Sequence, residues 1–203
     1  MFALVDKSDN SITRMYSGNK GITIGDNQYP KAIFTLWTEA ERNSINIYTI
    51  TIDESKRKDE KWYINTNMTY SFDGTNATGS YGDATAKKHA DTLYTAQDET
   101  DGLGTEGDVK VEGLKTILIR DVKAQAENEL NRTDWYITRK SEKNTAIPSA
   151  ITTHRDAVRT KQDSMCTSIT NASDTPALET LYTYTTDSEG VQSRPLGELP
   201  TLK

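Results

Sequence analysis

Apolar side chains are scarce in this sequence. Leu, Ile, Val and Phe together account for 36 of its 203 residues, and the mean hydropathy is −0.72. That share, about 18%, lies below the roughly 20% at which disorder is expected when the net charge is also high. The net charge is only −6, and 30 threonines take up much of the shortfall; threonine suits half-buried strands but fills a core poorly. We therefore expect a folded protein with a polar surface and a small core.

Cysteine is almost absent, with Cys166 the single one. A lone cysteine excludes an intrachain disulfide and any zinc site that is built from several cysteines. This usage is typical of a protein that stays in a reducing compartment.

Long apolar runs and basic clusters are missing as well. No stretch approaches the roughly 20 apolar residues that span a bilayer, and Met1–Asp6 has no basic leader, so we expect neither a transmembrane helix nor a signal peptide. The pI is about 5.0, and the short basic run Lys56–Lys58 is followed at once by Asp59 and Glu60. Nucleic-acid binding requires clustered Lys and Arg. We expect no nucleic-acid partner and no membrane partner.

Residues for nucleophilic catalysis are few. The two histidines are His89 and His154, and Cys166 follows His154 by twelve positions on one predicted helix, about 18 Å away at 1.5 Å per residue. That separation excludes a Cys–His dyad within one chain. His154-Arg155-Asp156 has the letters of a kinase catalytic loop, but Lys161 stands where that loop carries its metal-binding Asn.

Two segments have the composition of a phosphate-binding or calcium-binding loop but lack the sequence motif of either. Gly18–Gly21 is glycine-rich, yet the Gly-Lys-Ser/Thr of a phosphate loop does not follow, so the sequence predicts an ordinary turn. Asp98–Gly102 is acidic but misses the register of a calcium loop. We therefore predict no catalytic residue, no metal site and no cofactor, and a protein that is not an enzyme.

Residues 1–97 have the pattern of a domain of short antiparallel strands. Met1–Val5 and Ile12–Tyr16 flank a polar turn, which predicts a hairpin. A second hairpin is predicted from Met68–Phe72 to Ala77–Tyr81. Ile45–Ile52 alternates between apolar and polar residues until the phase changes at its tyrosine, which indicates either a bulge or a strand buried on both faces.

Three further elements complete this domain. Gly21–Gly25 is a candidate third strand, and Thr38–Glu41 has the spacing of a capping box at the start of a short helix. Ala84–Gln97 is rich in alanine, and we predict a helix that closes the domain.

The second half of the chain changes to helical periodicity. Residues 98–112 are acidic and glycine-rich, which favours a flexible linker, and residues 113–184 form a helical module. One helix is predicted over 113–131, and a second begins at Pro148, in the first helical position. The apolar residues of the second helix are spaced 7, 7 and 4 apart, a seam typical of helix-on-helix packing: Ile151, Val158, Met165 and Ile169.

A shorter helix opens at Thr175-Pro176, and residues 185–203 are predicted to be an irregular tail. The expected fold class is α+β, with an antiparallel β-rich N-terminal domain followed by a helix pair and a short helix.

Three stretches of the helical half resemble a module of tailed-bacteriophage proteins: Thr133–Arg139, Ala146–Pro148 and His154–Arg159. In that module a Thr-Asp-Trp start follows a helix, and a later helix carries a Tyr-Arg-x-x-x-Arg pattern. It occurs at the C-terminus of tail-fibre assembly proteins and in tail-associated virion proteins. His154 stands here where the family has Tyr, and the N-terminal segment Gly21–Asp26 with Ile33-Phe34 is similar to the openings of uncharacterised marine-phage proteins.

The resemblance implies an interface built from Asp134, Trp135, Arg155 and Arg159. The arginines are one turn apart, so we expect both on one helix face, and Trp135 offers a large surface between two helices. The alternative is a buried Trp135 with both arginines in surface ion pairs.

Two functions follow from the resemblance. The first is a structural, non-enzymatic tail or fibre-junction component of the virion, assembled in the host cytoplasm in multiple copies with other tail proteins. The second is a tail-fibre assembly chaperone that is absent from the particle. A virion enzyme that degrades glycans is a third hypothesis, and it requires a carboxylate pair that sequence spacing does not reveal.

Overall fold

The computed structural model describes residues 1–202, and the chain divides into two units, Met1–Thr85 and the residues from Ala86 onward. Strands predominate in the first unit and helices in the second, which confirms the α+β class. In this part of the chain no helix is long and apolar enough to cross a membrane.

The strands of the first unit are β1 (Phe2–Asp6), β2 (Ser11–Tyr16), β3 (Ile22–Ile24), β4 (Asn27–Tyr29), β5 (Ile47–Asp53), β6 (Tyr63–Ile64), β7 (Thr69–Phe72) and β8 (Ala77–Ser80). A further strand, β9 (Thr85–Ala86), lies at the boundary between the units. Five of these strands form one sheet with the order β2-β1-β5-β8-β7. The β1–β2, β1–β5 and β7–β8 pairs are antiparallel, but β5 and β8 run parallel. The sheet is therefore mixed, and its single parallel pair departs from the expected antiparallel arrangement.

Both predicted hairpins are confirmed. The β1–β2 turn is closed by Asp6, whose carboxylate accepts from the backbone N–H of Ser8 at 2.8 Å, and Asn10 adopts φ +58°. In the β7–β8 turn the Asp73 carboxylate accepts from the backbone of Thr75 and of Asn76.

The phase change within β5 reflects burial on both faces. Tyr48 and Ile50 belong to one apolar cluster with Phe72, while Ile47 belongs to a second cluster with Phe34. The pairing of β5 with its neighbours is regular, and a bulge lies instead in the β1–β2 pair. Of the two alternatives, the two-sided strand is correct.

Two short helical segments join the sheet strands. A 3₁₀ helix spans Lys31–Phe34, and α1 spans Glu39–Ser44. Thr38 caps α1 as predicted, because its hydroxyl accepts from the Glu41 backbone while the Glu41 carboxylate accepts from the Thr38 backbone. Next to them, β3 and β4 form a hairpin that confirms the third strand.

The second unit is built on the packing of two long helices. Its elements are β10 (Thr92–Leu93), α2 (Ala96–Thr100), β11 (Val109–Val111), α3 (Leu114–Asn131), α4 (Asp134–Lys143), α5 (Ser149–Asn171), α6 (Thr175–Tyr182), β12 (Thr185–Thr186) and β13 (Gln192–Ser193). The four predicted seam residues of α5 are all buried, and α3 buries a matching row at spacings of four: Leu114, Leu118, Val122 and Ala126. Pro148 is the N-cap of α5, one position before the predicted one.

The predicted helix over Ala84–Gln97 is wrong. This segment contains β9 and β10, and α2 begins only at Ala96. The Asp91 carboxylate accepts from the Gly113 backbone at 2.6 Å and from the Thr116 hydroxyl at 2.8 Å. These bonds to the start of α3 hold the segment extended and override its helix propensity.

Residues 98–112 belong to the second unit and are not a linker between domains. Asp98 pairs with Lys110 at 2.6 Å and shares a capping box with Thr95, while β10 pairs with β11. The boundary between the units follows Thr85 rather than residue 97.

The predicted irregular tail is attached at several points. The short β12–β13 hairpin lies in it, and Leu196 is buried. The Leu196 backbone donates to the Leu181 carbonyl at 3.0 Å, and its own carbonyl accepts from Lys161 Nζ at 2.8 Å.

Candidate functional site

The candidate interface residues lie where α3 turns into α4. Thr133 occupies this corner and is fully buried. Its hydroxyl and its backbone N–H both donate to the Leu130 carbonyl, at 2.9 and 3.0 Å. The Thr-Asp-Trp start thus folds as the end of one helix followed at once by the first turn of the next.

Arg155 reaches this corner from α5 and fixes it. Its Nη1 donates to the Leu130 carbonyl at 2.8 Å, to the Thr133 hydroxyl at 2.7 Å and to the Asp134 carboxylate at 2.7 Å. The Arg155 side chain is 10% exposed, whereas that of Asp134 is 53% exposed. A buried guanidinium needs such partners, and the last carbonyls of a helix need donors. Arg155 and Asp134 therefore position the corner.

Arg159 has a different environment, although it lies one turn along the same helix. It is half exposed and pairs with Asp156 at 3.3 Å, three residues earlier on α5. The two arginines lie one turn apart on α5, but only Arg159 faces solvent, because Arg155 is buried at the α3–α4 corner.

Trp135 lies on the surface of α4 and is 52% exposed, so the alternative of a buried ring is wrong as well. Its ring stacks on Tyr136 with centroids 3.8 Å apart. The Arg139 guanidinium lies 4.7 Å from the Trp135 ring centroid and 5.3 Å from that of Tyr136. Stacking and cation–π attraction hold the three side chains together in solvent.

Together with Lys140, these residues form the α4 surface, which we define as Trp135, Tyr136, Arg139 and Lys140. Ile137 is 43% exposed as well, but it lies about 160° from Trp135 around the helix and is not part of this surface. The helix carries three cations against two carboxylates, and one of those carboxylates, Asp134, is paired with Arg155. The surface is aromatic and cationic, in a chain whose net charge is −6.

A second contact near the corner was not predicted from the sequence. Glu129 Oε1 accepts from the Leu202 backbone at 2.9 Å and lies 3.1 Å from His154 Nε2, while Oε2 pairs with Arg132 at 2.8 Å. The Leu202 N–H is the main cause that lowers the pKa of the Glu129 carboxyl below its ordinary value. This contact attaches the end of the described chain to α3 and α5, and no local pattern around Leu202 indicates it.

Cys166 and the potential metal ligands are the remaining candidates for a chemical role. Burial raises the pKa of the Cys166 thiol, which disfavours the reactive thiolate at neutral pH. Within residues 1–202 no three His, Cys, Asp or Glu side chains are grouped so that they could hold a metal ion. No known protein family, curated protein or solved structure matches the chain.

Proposed function

We propose that this protein is a non-enzymatic structural component of a tailed-phage virion, a tail or fibre-junction protein that binds neighbouring tail proteins in multiple copies. The α4 surface carries the proposal. Apolar side chains are scarce in this chain, yet one of its three tryptophans stands half exposed on a helix fixed by Arg155. In a chain with so few apolar residues, an exposed tryptophan ring is better explained by a contact with a partner than by a contribution to the stability of the fold.

The composition of the α4 surface supports protein binding. Trp, Tyr and Arg are the residues that most often dominate the free energy of protein–protein association. Trp135, Tyr136 and Arg139 are already stacked on one another, so less side-chain entropy is lost when a partner covers them. The cations around the rings favour a partner whose rim is acidic.

The resemblance to the phage module supplies the biological setting. The residues that carry the resemblance include Thr133, Asp134 and Arg155, which are bonded to one another at the α3–α4 corner, and Trp135, which is exposed beside it. In this proposal the first three residues position the α4 surface, and Trp135 contacts the partner.

Mass spectrometry of purified particles tests the virion role. We expect the chain at a fixed copy number relative to the other tail proteins. Absence from the particle together with fibre defects after gene deletion would support the assembly chaperone instead. Absence from the particle with normal fibres would contradict both functions.

Site-specific photocrosslinking tests the surface itself. A benzoylphenylalanine at Lys140, an exposed position of the α4 surface, should capture one tail protein during assembly. Val191 is the matched control, because it is 56% exposed on the second unit but lies outside α4. Capture of the same partner with equal yield from position 191 would exclude α4 as the docking surface.

A further inference from the structure

The end of β2, the start of β3 and the loop between them line an open cavity in the first unit. Its volume is about 380 Å³, and the ten consecutive residues 14–23 line it. Sites for small ligands are concave and begin at about 300 Å³. The cavity is therefore large enough for a molecule of about the size of a monosaccharide.

Two glycines fix the shape of this loop. Gly18 has φ +77°, and a Cβ there would lie 2.8 Å from the Phe2 ring. A Cβ on Gly21 would lie 2.8 Å from the Tyr29 carbonyl oxygen. The Ser17 hydroxyl also donates to the Asn19 side-chain carbonyl at 2.8 Å across the loop. Contacts within the chain therefore constrain the course of the loop that lines the cavity.

The charge of the loop is opposite to that of the chain. No Asp or Glu occurs between Ser11 and Gly25, although the whole protein has a net charge of −6. Arg14 and Lys20 both line the cavity and are exposed, and neither forms an ion pair with another residue of the part that the structure describes. The Arg14 guanidinium lies 5.6 Å from the Tyr16 ring centroid, a contact that orients its planar fork.

The main chain adds donors that have no acceptor. None of the backbone N–H groups of residues 18–21 donates to another group within residues 1–202. Consecutive free N–H groups in a turn form concave sites that favour anions. The residues that line the cavity thus include two unpaired cations and four residues with free amide donors, and none of them is acidic.

We propose that residues 14–23 bind a small organic anion through its carboxylate or phosphate group. Arg14 donates to two oxygens of that group, Lys20 supplies the second positive charge, and the loop amides complete the shell. The Gly-Lys-Ser/Thr motif of nucleotide-binding phosphate loops is missing, so the site recognises the anionic group without the metal that such loops hold. This site is independent of the α4 surface.

Nuclear magnetic resonance titration of the full chain tests the site, with glucose 6-phosphate and glucuronate as probes of matched size. We expect the amide signals of residues 14–23 to shift with at least one of the two acids, which also tells phosphate from carboxylate. Added salt should weaken the binding, since the attraction is between charges. Arg14→Gln and Lys20→Gln should each weaken it about tenfold, because each variant removes a charged donor.

Arg120→Gln is the matched control, because Arg120 is an exposed arginine of the second unit that pairs with Glu112 at 2.8 Å. It should leave the affinity unchanged. The proposal is wrong if neither acid shifts the loop amides, or if neutral glucose shifts them to the same extent. It is also wrong if inorganic phosphate binds as tightly as the sugar phosphate, since the cavity would then hold no organic body.

Discussion

The two units of the chain reach stability in different ways. The first unit buries apolar residues on both faces of one sheet, in two clusters that β5 joins: Ala3, Val5, Tyr48, Ile50, Phe72 and Ala77 on one side, and Ile22, Ile33, Phe34 and Ile47 on the other. Aromatic pairs reinforce both clusters, with Tyr48 and Phe72 at 4.5 Å and Phe2 and Phe34 at 4.7 Å. Burial of apolar area is the main stabilising contribution in this unit.

The second unit has one apolar seam between α3 and α5, and polar side chains attach the segments around it. Lys115 Nζ donates to the Thr170 carbonyl at 2.8 Å, the Thr175 hydroxyl to the Lys87 carbonyl at 2.6 Å, and Lys161 Nζ to the Leu196 carbonyl at 2.8 Å. Each such bond contributes about 1 kcal/mol net, far less than a buried aromatic ring.

The difference explains how a chain with so few apolar residues folds. Its buried apolar side chains are concentrated on the two faces of the sheet and in the seam between α3 and α5. Elsewhere lysine, threonine and arginine satisfy main-chain carbonyls that no regular ladder would reach. We therefore expect the first unit to respond most to loss of volume, and the second to loss of single donors.

A large effect is expected from Ile47→Ala in the first unit. Ile47 is completely buried, and its truncation should lower the free energy of unfolding by roughly 3–4 kcal/mol. Hydrogen exchange should show the loss of protection in β1 and β5, with α3 and α5 unchanged. Ile52→Ala on the same strand is the control, because that residue is 43% exposed and should cost much less. Equal loss of protection in α3 and α5 would show that the two units are not stabilised separately.

Local patterns predicted most of the first unit. Side chains within a few positions of one another determine the hairpins, the Thr38 capping box and the strand around Tyr48. These elements can therefore be predicted from short sequence patterns. The parallel pairing of β5 with β8 joins segments about 27 positions apart, such as Ile50 and Ala77, and no local pattern specifies the direction of such a pair.

The main errors lie where distant polar groups decide the conformation. The bonds from Asp91 to Gly113 and Thr116 keep an alanine-rich segment out of a helix, and the pair between Asp98 and Lys110 folds a segment that resembles a linker by composition. Side chains more than ten positions away provide these contacts, so propensity and composition alone gave the wrong prediction.

The candidate site was predicted by residue but not by role. The spacing of Arg155 and Arg159 indicates a common face, yet four positions advance a helix by about 400°, which leaves the two side chains roughly 40° apart. Arg155 lies on the side of α5 next to its apolar seam, so its guanidinium can bind the Thr133 hydroxyl. Arg159 lies farther from the seam and faces solvent.

Arg155→Met tests the dependence of the second unit on single donors. The variant keeps a long apolar stem but removes the charged donor from the Thr133 hydroxyl and the Asp134 carboxylate, which should cost roughly 2–3 kcal/mol. Urea denaturation followed by the fluorescence of Trp135 measures the loss in variants whose other two tryptophans are phenylalanine. Arg159→Met should change stability by less than about 0.5 kcal/mol, because its ion pair is on the surface. Equal costs for the two variants would contradict the positioning role of Arg155.

A smaller effect is expected in the segment around α2. The Lys110 ammonium, followed by the backbone and hydroxyl of Thr95, lowers the pKa of Asp98 from 3.8 to about 2. A lowered carboxyl pKa means that this contact stabilises the fold fully above pH 3.8 and that the contribution is lost as the pH falls towards 2. Lys110→Met should raise the pKa of Asp98 towards 3.8, as measured by a carboxyl carbon titration. Lys123→Met is the control, because it removes an exposed lysine of α3 that does not contribute to the lowered pKa of Asp98, and it should leave that pKa unchanged. An unchanged titration of Asp98 in Lys110→Met would exclude the ion pair as the cause.

Trp135→Ala is expected to have only a small effect on stability, although tryptophan has the largest side chain. Because the Trp135 ring is 52% exposed and rests on Tyr136 and Arg139, Trp135→Ala should cost less than about 1 kcal/mol. A fully buried tryptophan would cost about 3–5 kcal/mol, and Trp62→Ala, at a buried position of the first unit, provides that comparison in the same denaturation experiment. If Trp135 contacts a neighbouring tail protein, Trp135→Ala should abolish crosslinking from position 140 while the melting temperature stays close to that of the parent protein. If Trp135→Ala loses as much stability as Trp62→Ala, the Trp135 ring stabilises the fold of this chain. That result would contradict the proposal that the α4 surface binds a partner.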